Sequence, residues 1–259
     1  MPQFNLKIAG LVASVTARCD STPYYMERYL TEEPAAVEIV VTQSALDLER
    51  QLRHAEALAE GIKPRRDQDP LLERLAILRQ FSRLALDRGI LPVHGSAVAL
   101  DGVGYLFTAP CGVGKSTHTR LWREVFGNRV VMINDDKPFI RVTTQGITLC
   151  GSPWSGKHGI DTNLEVPLGG ICLLSRSLEN AIRPADAADR TLIRRTIQPF
   201  LESDLMECYQ QLAADVTDRV PIWHLGCNME AEAAMVSGRA MHESAATPYT
   251  EQRRGSDGM

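Results

Sequence analysis

The run Ala109-Pro110-Cys111-Gly112-Val113-Gly114-Lys115-Ser116 stands between an apolar stretch at 103–108 and a helix-compatible stretch at 116–126. Two glycines followed by Lys-Ser, entered from a strand and left through a helix, form the pattern of a phosphate-binding loop. Gly112 and Gly114 lack Cβ, so the backbone can take positive φ and curl its N–H groups around a polyphosphate. The positive end of the following helix attracts the same anion. Lys115 supplies a mobile charge to the β and γ oxygens, and the Ser116 hydroxyl is a ligand for Mg²⁺. The nucleotide-contacting set is therefore Ala109, Pro110, Cys111, Gly112, Val113, Gly114, Lys115, Ser116 and Thr117, and the ligand it points to is ATP with Mg²⁺. Ala109 replaces the glycine of the strict pattern, a small-for-small change.

Working outward, Asp101-Gly102 lies between apolar runs at 94–100 and 103–108, which reads as a hairpin closed by a two-residue turn. With Leu100 opposite Val103, counting back along both strands sets His94 opposite Ala109, at the mouth of the loop. On the other side, 128–133 reads as a buried strand that ends in Asn134-Asp135-Asp136. Ligands of open α/β sheets collect at the carboxyl ends of parallel strands, so a strand parallel to 103–108 brings both carboxylates to the same rim. Adjacent residues of an extended chain project to opposite sides. One Asp can hold the metal shell while the other faces an attacking hydroxyl.

The remaining chain of 259 residues has 44% hydrophobic and 23% charged residues, ordinary for a soluble globular protein. A net charge of −4 excludes a general affinity for nucleic acid or anionic membrane. The six cysteines form no C-x-x-C pair, Met1-Pro2-Gln3-Phe4 does not start a signal peptide, and no apolar run reaches the roughly 20 residues of a membrane span. The expected compartment is the cytoplasm. His224 and Cys227 have ligand-like spacing, but two donors do not make a zinc site.

Alternation at 4–18 and a short apolar run at 36–41 predict two or three N-terminal strands. Tyr24, Tyr25 and Tyr29 between them read as packing residues or as a contact surface, packing being the commoner fate of aromatics. Helical periodicity marks 45–60 and 70–88, joined by a linker at 61–67. The expected organisation is an N-terminal α+β region at 1–67, a phosphate-loop domain at 68–242 and a disordered tail at 243–259. Within the second unit, 139–142 and 147–150 form a hairpin that leads into Gly151-Ser152-Pro153-Trp154-Ser155-Gly156-Lys157-His158-Gly159. Its glycines predict a mobile segment able to close over a phosphate, with Lys157 neutralising charge that builds during transfer. A strand at 170–174, a helix at 186–200, a strand at 221–225 and a helix at 229–241 follow.

Taken together, His94-Gly95-Ser96-Ala97-Val98, the 109–117 loop and Asp135-Asp136 resemble the kinase core of HPr kinase/phosphorylase and the related ATP-type phosphoenolpyruvate carboxykinases. Within that group the chain looks closest to the shorter HPr-kinase-like proteins, among them serine kinases that tailor ribosomally made lasso peptides. The likeness covers about 90–230 and includes the Pro153-Trp154-Ser155-Gly156-Lys157 segment. It implies an α/β fold with a mixed twisted sheet around the phosphate loop. It also implies Asp135 as base towards the substrate hydroxyl, His94 as its assistant and Asp136 as a magnesium ligand, the two Asp roles being interchangeable at this stage. Leu164-Glu165-Val166 and Gly169-Gly170-Ile171 resemble the signature after that core, which adds Glu165 to the metal candidates. Pro167 stands where the signature has an arginine, which argues against the HPr protein as substrate. The function implied is transfer of the ATP γ-phosphate to a hydroxyl, the acceptor being a serine of a peptide or protein. The competing readings are a small-metabolite kinase and a nucleotide-responsive binding module without transfer. The sequence leaves the oligomeric state open, a homo-oligomer included.

Overall fold

The computed structural model describes residues 1–64, 66–110, 112–197 and 205–246, with the backbone alone for Lys157 and 244–246. Arg65 of the linker, Cys111 of the loop, the 198–200 end of the predicted 186–200 helix and the 247–259 part of the predicted tail lie outside the described residues.

The N-terminal segment is a hairpin, β1 (Gln3–Ile8) and β2 (Leu11–Thr16), turned over Ala9-Gly10, with β3 (Val37–Val40) added parallel to β2. Between β2 and β3 lie a single helical turn α1 (Thr22–Tyr25) and a 3-10 turn at Glu27–Tyr29. Helix α2 (Gln43–Ala59) starts where the Thr42 hydroxyl accepts from the Ala45 N–H, and α3 (Asp69–Leu86) starts with a proline in its first turn, where the missing N–H costs nothing. Leu6, Ile8, Val15 and Ile39 share one core with Leu72, Ile77 and Phe81 of α3 and with Phe139 and Trp154 further along the chain. The region before residue 68 is thus packed into the rest through α3.

The main sheet, nine-stranded among the described residues, contains β4 (Ile90–Pro92), β5 (Ser96–Leu100), β6 (Val103–Thr108), β7 (Val130–Asn134), β8 (Phe139–Val142), β9 (Ile147–Cys150), β10 (Glu165–Arg176), β11 (Ala181–Pro184) and β12 (Ile222–Cys227). The path β4-β8-β9-β10-β6-β5-β7 is mixed: β10 runs parallel to β6 and to β12, while β5 is antiparallel to β6 and β7. Alternation along β6 explains the layers. Tyr105 and Phe107 face α4 (Lys115–Phe126) and α7 (Ala231–Ala246), packing on Trp122 and Met241, whereas Leu106 faces α5 (Ala187–Thr196) and α6 (Met206–Arg219), with Ile193 and Val216. Helices thus cover both faces of this part of the sheet, as an α/β layering requires.

Several boundaries differ from the sequence expectation. Helix α7 continues to Ala246, past the expected start of the tail at 243, because Glu243-Ser244-Ala245-Ala246 contains no helix breaker. The 170–174 strand is the middle of the longer β10, which tolerates Pro167 in a stretch paired with β9. Helix α6 and strands β4 and β11 have no counterpart in the sequence reading. Among the described residues no helix is long and apolar enough to cross a membrane.

Candidate functional site

Strand β6 runs out at Thr108 into the 109–117 loop, and β7 runs out at Asn134 into Asp135-Asp136. β5 lies between them and antiparallel to both, so β6 and β7 point the same way and β5 begins on the rim where they end. The register has Leu100 opposite Val103 and Ser96 opposite Phe107, as the two-residue turn requires. Two residues further back His94 comes level with Ala109, and the Thr108 hydroxyl donates to the His94 carbonyl at 3.1 Å. The loop, the imidazole and the carboxylate pair therefore share one edge of the sheet.

The described part of the loop has the conformation its glycines permit: Gly112 has φ 76° and Gly114 φ 122°, both closed to ordinary L side chains. Lys115 Nζ donates to the Ala109 carbonyl at 3.0 Å, folding the ammonium back over the loop. Helix α4 opens at Gly114 without a side-chain cap, so its first N–H groups and the positive end of its dipole are directed at the loop. Arg176, at the end of β10, donates to the Gly112 carbonyl at 2.6 Å and ties the loop to the neighbouring strand.

The two aspartates diverge. Asp135 Oδ1 accepts from Ser96 Oγ at 2.8 Å, and Ser96 in turn contacts Thr119 Oγ1 of α4 at 2.7 Å. Asp135 shares a cavity of about 290 Å³ with Ser116, Thr117, Arg120, Arg123 and His158. Asp136 turns instead to His94 and Lys137: its Oδ1 lies 3.1 Å from His94 Nδ1 and 3.0 Å from Lys137 Nζ. Burial pushes the Asp136 carboxyl up, but the His94 hydrogen bond and the Lys137 ammonium outweigh it and hold the group below the usual carboxylate value. It is an anion at neutral pH. Lys137 Nζ is also 3.0 Å from His94 Nδ1. The tautomer decides whether Nδ1 donates to Asp136 or accepts from Lys137.

Asn134 organises this corner. Its Oδ1 accepts from the Asp136 and Lys137 N–H groups at 2.8 and 2.7 Å, and its Nδ2 donates to the Ser152 carbonyl at 2.8 Å. Sequence reasoning passed over Asn134, Ser96 and Lys137. For Asn134 the signal was present, since an Asn at a strand end before Asp-Asp-Lys-Pro is the composition of an Asx turn.

Other expectations are corrected. The 151–159 segment is not a mobile flap in its first half: residues 151–155 are buried, Trp154 packs on Phe81 and Phe139, and its indole N–H donates to the Arg74 carbonyl at 2.8 Å. A buried aromatic of that size contributes a large apolar area to the core. Gly156, at φ 68°, passes so close to Asp136 that a Cβ there would lie 3.0 Å from the Asp136 Cβ. Lys157 follows in the 3-10 turn Gly156–His158, its side chain outside the description. Glu165 does not join the cluster. It pairs with Arg141 at 2.7 Å, and it precedes by eight residues the Leu173 that is level with Thr108, roughly 25 Å along the strand. His224 has both ring nitrogens engaged, Nδ1 with Asp189 Oδ1 and Nε2 with Ser175 Oγ, each at 2.8 Å, and so pins α5 to the sheet.

No family model matches the sequence, and no curated protein matches it. Among solved structures, the HPr(Ser) kinase/phosphatase from Coxiella burnetii is similar with a TM-score of 0.37 and 10% sequence identity, over 59% of this chain and 88% of that chain.

Proposed function

We propose that the chain is an Mg²⁺- and ATP-dependent kinase that transfers the γ-phosphate to a hydroxyl, with a serine of a peptide or protein as the acceptor class. The observation that carries this reading is the convergence on one sheet edge of the 109–117 loop, the Asp135 that shares a cavity with Ser116, and the Asp136 held by His94 and Lys137. A module that only bound nucleotide would have no use for the third group.

The divergence of the aspartates supports the reverse of the role order implied by resemblance. Asp135 and Ser116 offer a carboxylate and a hydroxyl, hard oxygen donors of the kind Mg²⁺ takes alongside phosphate and water oxygens. Bound there, the ion supplies charge neutralisation on the transferring phosphoryl group. Lys115 and the α4 N-terminus hold the phosphate chain. Asp136 accepts the proton of the acceptor hydroxyl as that oxygen forms its bond to the γ-phosphorus, and the bond from phosphorus to the bridging oxygen of ADP breaks. His94 and Lys137 keep Asp136 ionised and aimed. Lys157, in the turn beside Asp136, is proposed to meet the charge that develops on the γ-phosphate.

The test is transfer of label from γ-labelled ATP to a panel of serine peptides. Lys115→Ala is expected to abolish both nucleotide binding and transfer, and Asp136→Asn to abolish transfer while leaving binding intact. Wild-type transfer in Lys115→Ala, or nucleotide binding with no turnover on any acceptor, would defeat the proposal, the second outcome in favour of a nucleotide-responsive module.

A further inference from the structure

The N-terminal segment reaches the site. Glu73, fully buried on α3, accepts from the Arg18 N–H at 2.5 Å, the Cys19 N–H at 3.0 Å and the Thr22 hydroxyl, which holds the start of α1 against α3. At the other end Tyr29 donates to Asp161 at 3.2 Å, and the Arg28 carbonyl accepts from Asn163 at 2.9 Å. The segment between, carrying Tyr24 and Tyr25, is thus anchored at both ends beside the Asp136 corner. Its next neighbour on α3 is Arg74, whose guanidinium carbon lies 3.9 Å from the centre of the Tyr25 ring. Two bonds link Arg74 to the corner: its carbonyl receives the Trp154 indole N–H, and the Trp154 carbonyl receives the Lys137 N–H at 3.1 Å. Tyr25 feels the corner directly. Burial raises its phenol, and although Arg74 lowers it, Asp161 and Asp136 raise it further.

Arg74 is half-buried, and among the described residues no carboxylate pairs with it. A guanidinium over a ring can still offer N–H groups to an anion, and its planar fork matches a carboxylate two bonds at a time. Tyr24 and Tyr25 remain 78% and 38% exposed, unlike Tyr29, which is buried.

We infer that Arg74, with Tyr25 beneath it, is the acceptor subsite, and that it selects hydroxyl substrates bearing a carboxylate close to the hydroxyl. The inference rests on the proposed kinase reading for its purpose, but its test does not depend on turnover. The probes are acetylated, amidated serine peptides with a Glu one to four positions to either side of the serine, each paired with its Gln twin. Binding is read by calorimetry to the protein loaded with a non-hydrolysable ATP analogue and Mg²⁺. At one spacing the Glu peptide is expected to bind about tenfold more tightly than its twin, the range of a charge-assisted pair. Arg74→Gln removes that preference, leaves affinity for the ATP analogue unchanged, and spares the Trp154 bond, which uses the Arg74 backbone. Arg74→Lys restores part of it. Equal affinity of Glu and Gln peptides at every spacing, or an Arg74→Gln effect confined to the nucleotide, overturns the subsite. Where the preference is present but no label is transferred, the subsite stands and the kinase reading falls.

Discussion

Truncating Asn134 to alanine tests whether the carboxylate corner is held as described. Asn134 is fully buried and its side chain serves two N–H groups, of Asp136 and Lys137, and one carbonyl, of Ser152. Asn134→Ala leaves the Asp136 N–H and the Ser152 carbonyl without partners, while the Lys137 N–H keeps its bond to the Trp154 carbonyl at 3.1 Å. The Asp136 N–H belongs to a half-buried residue and regains some water, so its loss costs about 1 kcal/mol; the buried Ser152 carbonyl and the small cavity add about 1 to 2 kcal/mol more. The expected loss is about 2 to 3 kcal/mol. With a urea m-value of about 3 kcal/mol/M, the midpoint falls by about 0.7 to 1 M. Ser152 Oγ donates to the Lys137 carbonyl at 2.5 Å and belongs to the same network, so adding Ser152→Ala is expected to cost less than the sum of the two single losses. Transfer activity falls with the corner, while nucleotide affinity persists because the 109–117 loop is fixed by β6, α4 and Arg176. A midpoint shift below about 0.3 M, with transfer at the wild-type rate, would refute the argument that Asn134 sets the geometry of Asp136.

Three further outcomes follow from the same geometry. The Asp136 carboxyl is depressed in the folded chain, so its stabilising contribution is complete above the ordinary carboxylate value and is lost as pH falls through the lower folded one. Asp136→Asn is therefore expected to lower the melting temperature at pH 7 and to lower it less at pH 3, and an equal shift at both would contradict the pairing with His94 and Lys137. Gly156→Ala meets both a positive φ and the Asp136 Cβ, and is expected to lose about 1 to 2 kcal/mol in denaturant titration with a larger loss of transfer than of nucleotide binding. Trp154→Phe keeps an aromatic in the shared core and removes the indole N–H to Arg74, for an expected cost of about 1 to 2 kcal/mol by the same titration. A null result there would mean that Trp154 does not join α3 to the site.

What could be read from residues alone was whatever a short run determines. The Asp101-Gly102 turn has room for one register, and that register delivers His94 to the loop by counting. The glycines, lysine and serine of 109–117 carry their own strand and helix with them. Boundaries followed where a breaker marks them and drifted where none does, as at the end of α7. Strand β11 was invisible because a short, mostly exposed strand lacks a periodicity that stands out from its neighbours, whereas the signal of α6, with Tyr209, Ala213 and Val216 buried at helical spacing, was present and passed over.

The division of labour between Asp135 and Asp136 illustrates the limit. Alternation along an extended chain says that the two side chains part, but not which one meets which neighbour. That depends on Ser96 lying 39 residues before Asp135 and on His94 lying close to Asp136 in space although 42 positions away in the chain, contacts set by β5 sitting between β6 and β7. The same holds for Glu165: its place in a familiar-looking run suggested a metal ligand, whereas the parallel pairing of β10 with β6 carries it to the far end of the strand and leaves it to Arg141. Residues at a strand's exit inherit their role from the rim they leave by; residues at its entry are removed from that rim by the full length of the strand. Topology therefore separates Glu165 from the aspartates, and the partner that each aspartate finds across β5 distinguishes one from the other.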